Sequence, residues 1–214
     1  MRNVSPSLLS ADFADLGAQI ATVEKAGSTR LHLDVMDGNF VPNITFGPMI
    51  IEAVRRLTDQ TLDVHLMIAE PHRYLKQFVA AGADVVIIHY EASTDIERDL
   101  AAIKRLGAVP GIAINPDSNF DVLLPYLGLF DYFLVMSVFP GFGGQSFKTS
   151  TLATMRAAVE ATKDHSFLVA VDGGVNMQTI DEVFATGIDI GVVGSGLFKT
   201  DDIPARMAQL QGVD

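Results

Sequence analysis

The chain of 214 residues contains no cysteine. Disulfides and thiolate chemistry are therefore excluded, and any metal must be held by His, Asp, Glu or backbone oxygen. Basic residues are scarce, 15 Lys and Arg against 26 Asp and Glu, for a net charge of −11. No Lys/Arg cluster stands out against that background, so neither nucleic acid nor a membrane is expected as a partner. No apolar run approaches the roughly 20 residues of a membrane span. The opening MRNVSPSLLSADF has neither the basic region nor the apolar run of a signal peptide, and a cytoplasmic location is expected. Linkers and low-complexity stretches are missing too, which predicts one domain over residues 1–214. The remainder is ordinary for a globular protein, 49% hydrophobic and 19% charged residues, at a length able to bury a full core.

Periodicity organises the chain around Leu31–Asn43, LHLDVMDGNFVPN. In its opening strand Leu31, Leu33 and Val35 alternate with His32, Asp34 and Met36, so the last three share one face. An imidazole and a carboxylate buried side by side need partners, either a metal ion or hydrogen bonds within the core. Further strands are predicted over Val4–Leu9, Thr61–Ile68, Asp84–Tyr90, Ala108–Ile114, Asp131–Met136, Phe167–Val171 and Ile188–Val193. Helices are predicted from Ser10 to Lys25 and over Met49–Leu57, Pro71–Ala81, Asp95–Leu106, Phe120–Leu127, Thr149–Lys163 and Met177–Ala185, with a last one after Gly196 running to Leu210. Strands alternating with helices make a parallel sheet covered on both faces, and Val85–Ile88 and Ile190–Val193 have the unbroken apolar character this requires. Eight such units predict an α/β fold, a (β/α)8 TIM barrel, with an open doubly wound sheet as its rival.

Barrel topology brings His32 and Asp34, His65, and Asp172 to or near the C-terminal ends of the second, third and seventh strands. Two imidazoles and two carboxylates suit one divalent ion such as Zn2+, Fe2+, Mn2+ or Co2+. His89 ends the fourth strand, and spacing alone leaves it open as a ligand. His72 and His165 fall in helical or loop contexts and read as solvated. Three glycine motifs, FPGFGGQS at Phe139–Ser146, DGG at Asp172–Gly174 and GSG at Gly194–Gly196, follow adjacent strands and open onto helix starts. Such loops bind phosphate through backbone N–H groups, although tight turns alone would also use glycine. Lys148 and Lys199 follow closely but none of the motifs contains a basic residue, so amides and helix dipoles would do most of the holding.

SPSLLSADF, LHLDVMDGNFVPN, DVHLM, PGFGGQSF, VDGGV and VVGSGLF, in this order, resemble the ribulose-phosphate 3-epimerase family over essentially the whole chain. The resemblance implies a (β/α)8 barrel that interconverts ribulose 5-phosphate and xylulose 5-phosphate with one divalent metal ion. It implies His32, Asp34, His65 and Asp172 as ligands and Asp34 with Asp172 as the acid/base pair. It implies Ser7, His65, Gly141, Phe142, Gly143, Gly144, Asp172, Gly173, Gly174, Gly194 and Ser195 as the substrate-binding set. Met36, Met67 and Met136 fall at active-site positions, where they would either cap the intermediate or pack the barrel mouth. One position departs from the pattern: Phe139 stands before Pro140, where the family usually has Asn, Asp or Glu. That leaves 3-epimerisation of a ketohexose 6-phosphate such as allulose 6-phosphate as an alternative, beside a non-catalytic sugar-phosphate-binding paralogue. A decarboxylase on a similar barrel would place a Lys near the reacting carbon, and no strand end carries one. The partners expected are a phosphorylated ketose and further copies of the same chain in a homo-oligomer.

Overall fold

The structure, a computed structural model, describes residues 1–213, and Asp214, the last residue of the expected 1–214 domain, lies outside the described residues. Eight parallel strands form one sheet: β1 Asn3–Pro6, β2 Arg30–Met36, β3 Thr61–Met67, β4 Val85–His89, β5 Val109–Ile114, β6 Tyr132–Met136, β7 Leu168–Asp172 and β8 Ile190–Val193. Each strand pairs with the next in sequence from β2 to β8, and β8 pairs with β1. The remaining gap, between β1 and β2, is bridged by one parallel contact, Ser7 with His32. This is the barrel that the alternation of elements predicts, and the open doubly wound sheet is excluded.

Both faces of the sheet are buried, as the apolar runs demand. Along β2 all residues are buried. Leu31, Leu33 and Val35 point outward into a cluster shared with the helices, while Val85, Ile87, Ala113, Tyr132, Leu134 and Ile190 fill the interior. Space inside is tight: a Cβ on Gly111 would lie 2.7 Å from Ile87.

The outer layer holds α1 Leu16–Lys25, α2 Pro48–Arg55, α3 Leu75–Ala80, α4 Ile96–Leu106, α5 Leu152–Ala161, α6 Ile180–Phe184, α7 Ser195–Phe198 and α8 Ile203–Gln211. It is less regular than predicted. The helix expected from Ser10 begins at Leu16, because Leu8–Ser10 is a 3-10 turn and the Asp12 carboxylate turns the chain by accepting from the Ala14 N–H. The segment expected as a helix around Phe120–Leu127 is 3-10 over Phe120–Tyr126 and contains Pro125, which has no N–H to give. The predicted final helix is two, the second capped by Asp202 accepting from Ala205 N–H at 2.9 Å.

Candidate active site and metal centre

Strand register builds the site. Asp34 pairs with His65 across β2 and β3, and Met136 pairs with Asp172 across β6 and β7, so inward side chains from four strands meet at one level. One donor atom each from His32, Asp34, His65 and Asp172 lies within 4.8 Å of all the others. His32 Nε2 is 3.4 Å and His65 Nδ1 is 3.1 Å from the same Asp34 oxygen, and His65 Nδ1 is 3.9 Å from Asp172 Oδ2. The other Asp34 oxygen accepts from the Ser7 hydroxyl at 2.6 Å, which fixes the carboxylate's rotation. His32, Asp34 and His65 are buried, while Asp172 is partly open to the barrel mouth.

The electrostatics push these four groups apart. Burial raises the Asp34 carboxyl, but the two histidines outweigh burial and hold it well below the usual carboxylate range. Burial lowers His32, but Asp34 overrides it and the imidazole is raised to about 9. His65, desolvated above all, is lowered to about 3. Burial, followed by the charge of Asp34, pushes Asp172 up to about 7. The two ring nitrogens of His32 and His65 face each other at 3.4 Å, too far apart for a strong hydrogen bond. Two imidazole nitrogens and two carboxylates aimed at one point, once His32 gives up its proton, are the donor chemistry of a divalent first-row cation, so the residues fit such an ion.

Above this cluster opens a cleft of about 690 Å3, counting its open mouth. Of the expected substrate-binding residues, Ser7, Gly141–Gly144, Asp172–Gly174, Gly194 and Ser195 line it, together with Asp34. His65 does not: it lies beneath the floor with His32. Met36, Met67 and Met136 form part of the wall, and no Lys or Arg is among the lining residues. Phe139 sits half exposed on the rim, where its carbonyl oxygen accepts from the Gln145 amide at 2.7 Å and its ring stacks under Lys148.

Sequence reasoning passed over Ser10 and Asn176, which also line the cleft. Ser10, the expected helix start, belongs instead to the 3-10 turn, which holds it against the glycine loop, where a Cβ on Gly194 would lie 2.7 Å from its hydroxyl. Asn176 donates to the Gly174 carbonyl oxygen at 3.0 Å and ties the DGG turn to α6. His89 lies outside the four-residue group, behind His65. His72 is exposed and His165 half-buried after α5.

Similar proteins agree with this architecture. A Streptococcus mutans protein described as KGPDC superposes with a TM-score of 0.74 at 14% identity, covering 99% of this chain and 96% of its own. The tryptophan synthase α-subunit of Pyrococcus furiosus does so with a TM-score of 0.73 at 15% identity, covering 99% and 98%. At that identity the likeness is one of fold. Sequence relatives go further. A Bacillus subtilis protein named ribulose-phosphate 3-epimerase is 44% identical over 217 aligned positions, 99% of each chain. A chloroplastic Arabidopsis thaliana protein named ribulose-5-phosphate-3-epimerase is 44% identical over 93% of this chain and 72% of its own. With residues 3–198 matching the family described as the ribulose-phosphate 3 epimerase family, the chain belongs to that family.

Proposed function

We propose that this protein is a ribulose-phosphate 3-epimerase, an isomerase that interconverts ribulose 5-phosphate and xylulose 5-phosphate. The observation that carries this reading is the pairing of Asp34 and Asp172 over two buried histidines, at the floor of a cleft walled by glycine loops. Inverting a carbon beside a ketone needs a proton taken from one face and another delivered to the opposite face. Asp34, held ionised, and Asp172, raised to about 7, are the divergent pair of carboxyls that such work calls for. Ser7 orients Asp34 by its hydrogen bond, and the methionine wall keeps bulk water from the reacting carbon. His32, Asp34, His65 and Asp172 are the proposed ligands of one divalent ion. When bound, that ion would lower the cost of the negative charge that the enediolate develops. Backbone N–H groups of Gly143, Gly144, Gly174, Gly194 and Ser195 are the proposed phosphate cradle, with Gly141, Phe142 and Gly173 completing the walls, while His65, buried beneath the floor, serves as a metal ligand and not as a substrate contact. A cytoplasmic location and self-association are part of the same reading. Sedimentation as a single chain would overturn the latter.

The test is turnover in deuterated water. Solvent deuterium should appear at C3 of the product ketose, chelation should abolish activity, and Zn2+, Mn2+ or Co2+ should restore it. Asp34→Asn and Asp172→Asn should each cost roughly 10²–10⁴ in rate with the fold intact by circular dichroism, and the double variant far less than the product of the two. Product without deuterium at C3 would sink the two-carboxylate mechanism. Offering ribulose 5-phosphate and allulose 6-phosphate side by side separates pentulose from hexulose specificity.

A further inference from the structure

Behind His65 runs a hydrogen-bonded chain that the reaction as described does not use. His65 Nε2, on the side of the ring away from the metal-ligating group, is 2.8 Å from His89 Nε2. The two rings lie nearly parallel, 26° apart with centroids at 5.0 Å, and Phe40 packs 4.9 Å from the His89 ring. His89 Nδ1 in turn is 3.3 Å from Glu91 Oε2. The other Glu91 oxygen accepts from the Asn115 N–H at 2.8 Å and the Ser118 hydroxyl at 2.7 Å, so the carboxylate is anchored independently of His89. Burial pushes the Glu91 carboxyl up, but bonds from His89, Asn115 and Ser118 outweigh it and leave it below its ordinary value.

Donor and acceptor roles then follow link by link. An ionised carboxylate only accepts, so His89 must donate from Nδ1. A neutral imidazole that donates from Nδ1 accepts at Nε2, so His65 must donate from its own Nε2. That leaves the lone pair of His65 on Nδ1, the nitrogen aimed at Asp34 and Asp172. We propose that Glu91 and His89 are positioning residues for the metal centre, a carboxylate–imidazole pair that fixes the tautomer and the orientation in which His65 presents Nδ1 to the ion. This inference rests on the metal-site reading proposed above. It also assigns His89, which spacing left open as a ligand, to the shell behind the ligands, where partners commonly tune affinity.

Glu91→Gln tests it, because the amide keeps the shape and changes the polarity. If its NH2 faces His89, His89 must accept at Nδ1 and donate to His65, which moves the His65 proton onto the metal-facing nitrogen. If its oxygen faces His89 instead, its NH2 confronts the Asn115 N–H. The full-length protein, stripped by chelation, would be titrated with Zn2+ against a chelating indicator. Glu91→Gln should weaken zinc roughly 10–100-fold. Ser118→Ala, which removes an anchoring bond and leaves the carboxylate facing His89, should bind zinc as the wild type does. Equal affinity of Glu91→Gln and wild type, or an equal loss in Ser118→Ala, would overturn the proposal. Should Glu91→Gln fail to fold, ring 15N shifts of the zinc-loaded wild type decide it: His89 protonated at Nδ1 supports the inference, and at Nε2 overturns it. A wild type that takes up no zinc would defeat the metal reading itself, and this inference with it.

Discussion

His32 holds a proton where a cation would otherwise stand. Its value is raised from 6.5 to about 9, chiefly because Asp34 overrides burial. A histidine raised in the folded state contributes stability fully below pH 6.5 and loses it as pH climbs through 9. Asp172, raised to about 7, adds a loss of the same sign up to that pH, since a raised carboxyl favours the fold only while protonated. The shifts of His65 and Asp34 are downward and act on the acid side, outside this window. The melting temperature of the chelated protein should therefore fall between pH 6.5 and 9. The zinc-loaded protein should fall much less, because the cation takes the proton's place. Parallel slopes for the two forms would refute this account of His32. At this scale the sequence was informative where a strand's period of two speaks, as in His32 and Asp34. It was silent on His89, because which ring stands in front depends on the stagger of β3 against β4, where His65 is level with Ile87.

Most strands were legible to within a residue or two because burial on both faces leaves an unbroken apolar run, as in β2 and β4. The first, expected to reach Leu9, ends at Pro6 because Leu8–Ser10 turns as a 3-10 helix. Helices were less so, since their ends are settled by local side-chain bonds such as those of Asp12 and Asp202, which compete with periodicity. The glycine loops show the same limit. All three motifs were visible, but not which glycine faces ligand and which faces protein. Gly174 has φ +65, and a Cβ there would lie 2.5 Å from the Phe147 backbone nitrogen, so its missing side chain lets two loops touch while its N–H stays in the cleft wall. Gly143 has only Ser10 and Leu9 near its Cβ position, at 3.7 and 3.8 Å, both of them cleft residues. Gly174→Ala should thus lower stability by about 1–3 kcal/mol from backbone strain alone. Gly143→Ala should melt like the wild type and raise KM several-fold with kcat largely kept. Thermal unfolding and steady-state kinetics on the two variants check this, and a stable Gly174→Ala with normal KM would contradict it.

Across the whole molecule the strand ladders are continuous except at one place. From β2 round to β8 and on to β1 the neighbours are paired through several registers, whereas between β1 and β2 the pairing is a single bridge, Ser7 just past β1 with His32. The side chains there partly make up for the missing rungs, Ser7 reaching Asp34 at 2.6 Å. Two of the proposed ligands, His32 and Asp34, hang from one lip of that gap, and the other two come from β3 and β7 on either side of it. An ion held by all four would therefore act as a clasp, drawing the lips together across the weakest arc of the ring. Breathing of the barrel would then be governed by metal occupancy. Amide hydrogen exchange along β1 and β2 should slow on zinc loading far more than along β4 and β5, which contribute no ligand. Protection spread evenly over all strands would mean that the ring is already shut without its ion.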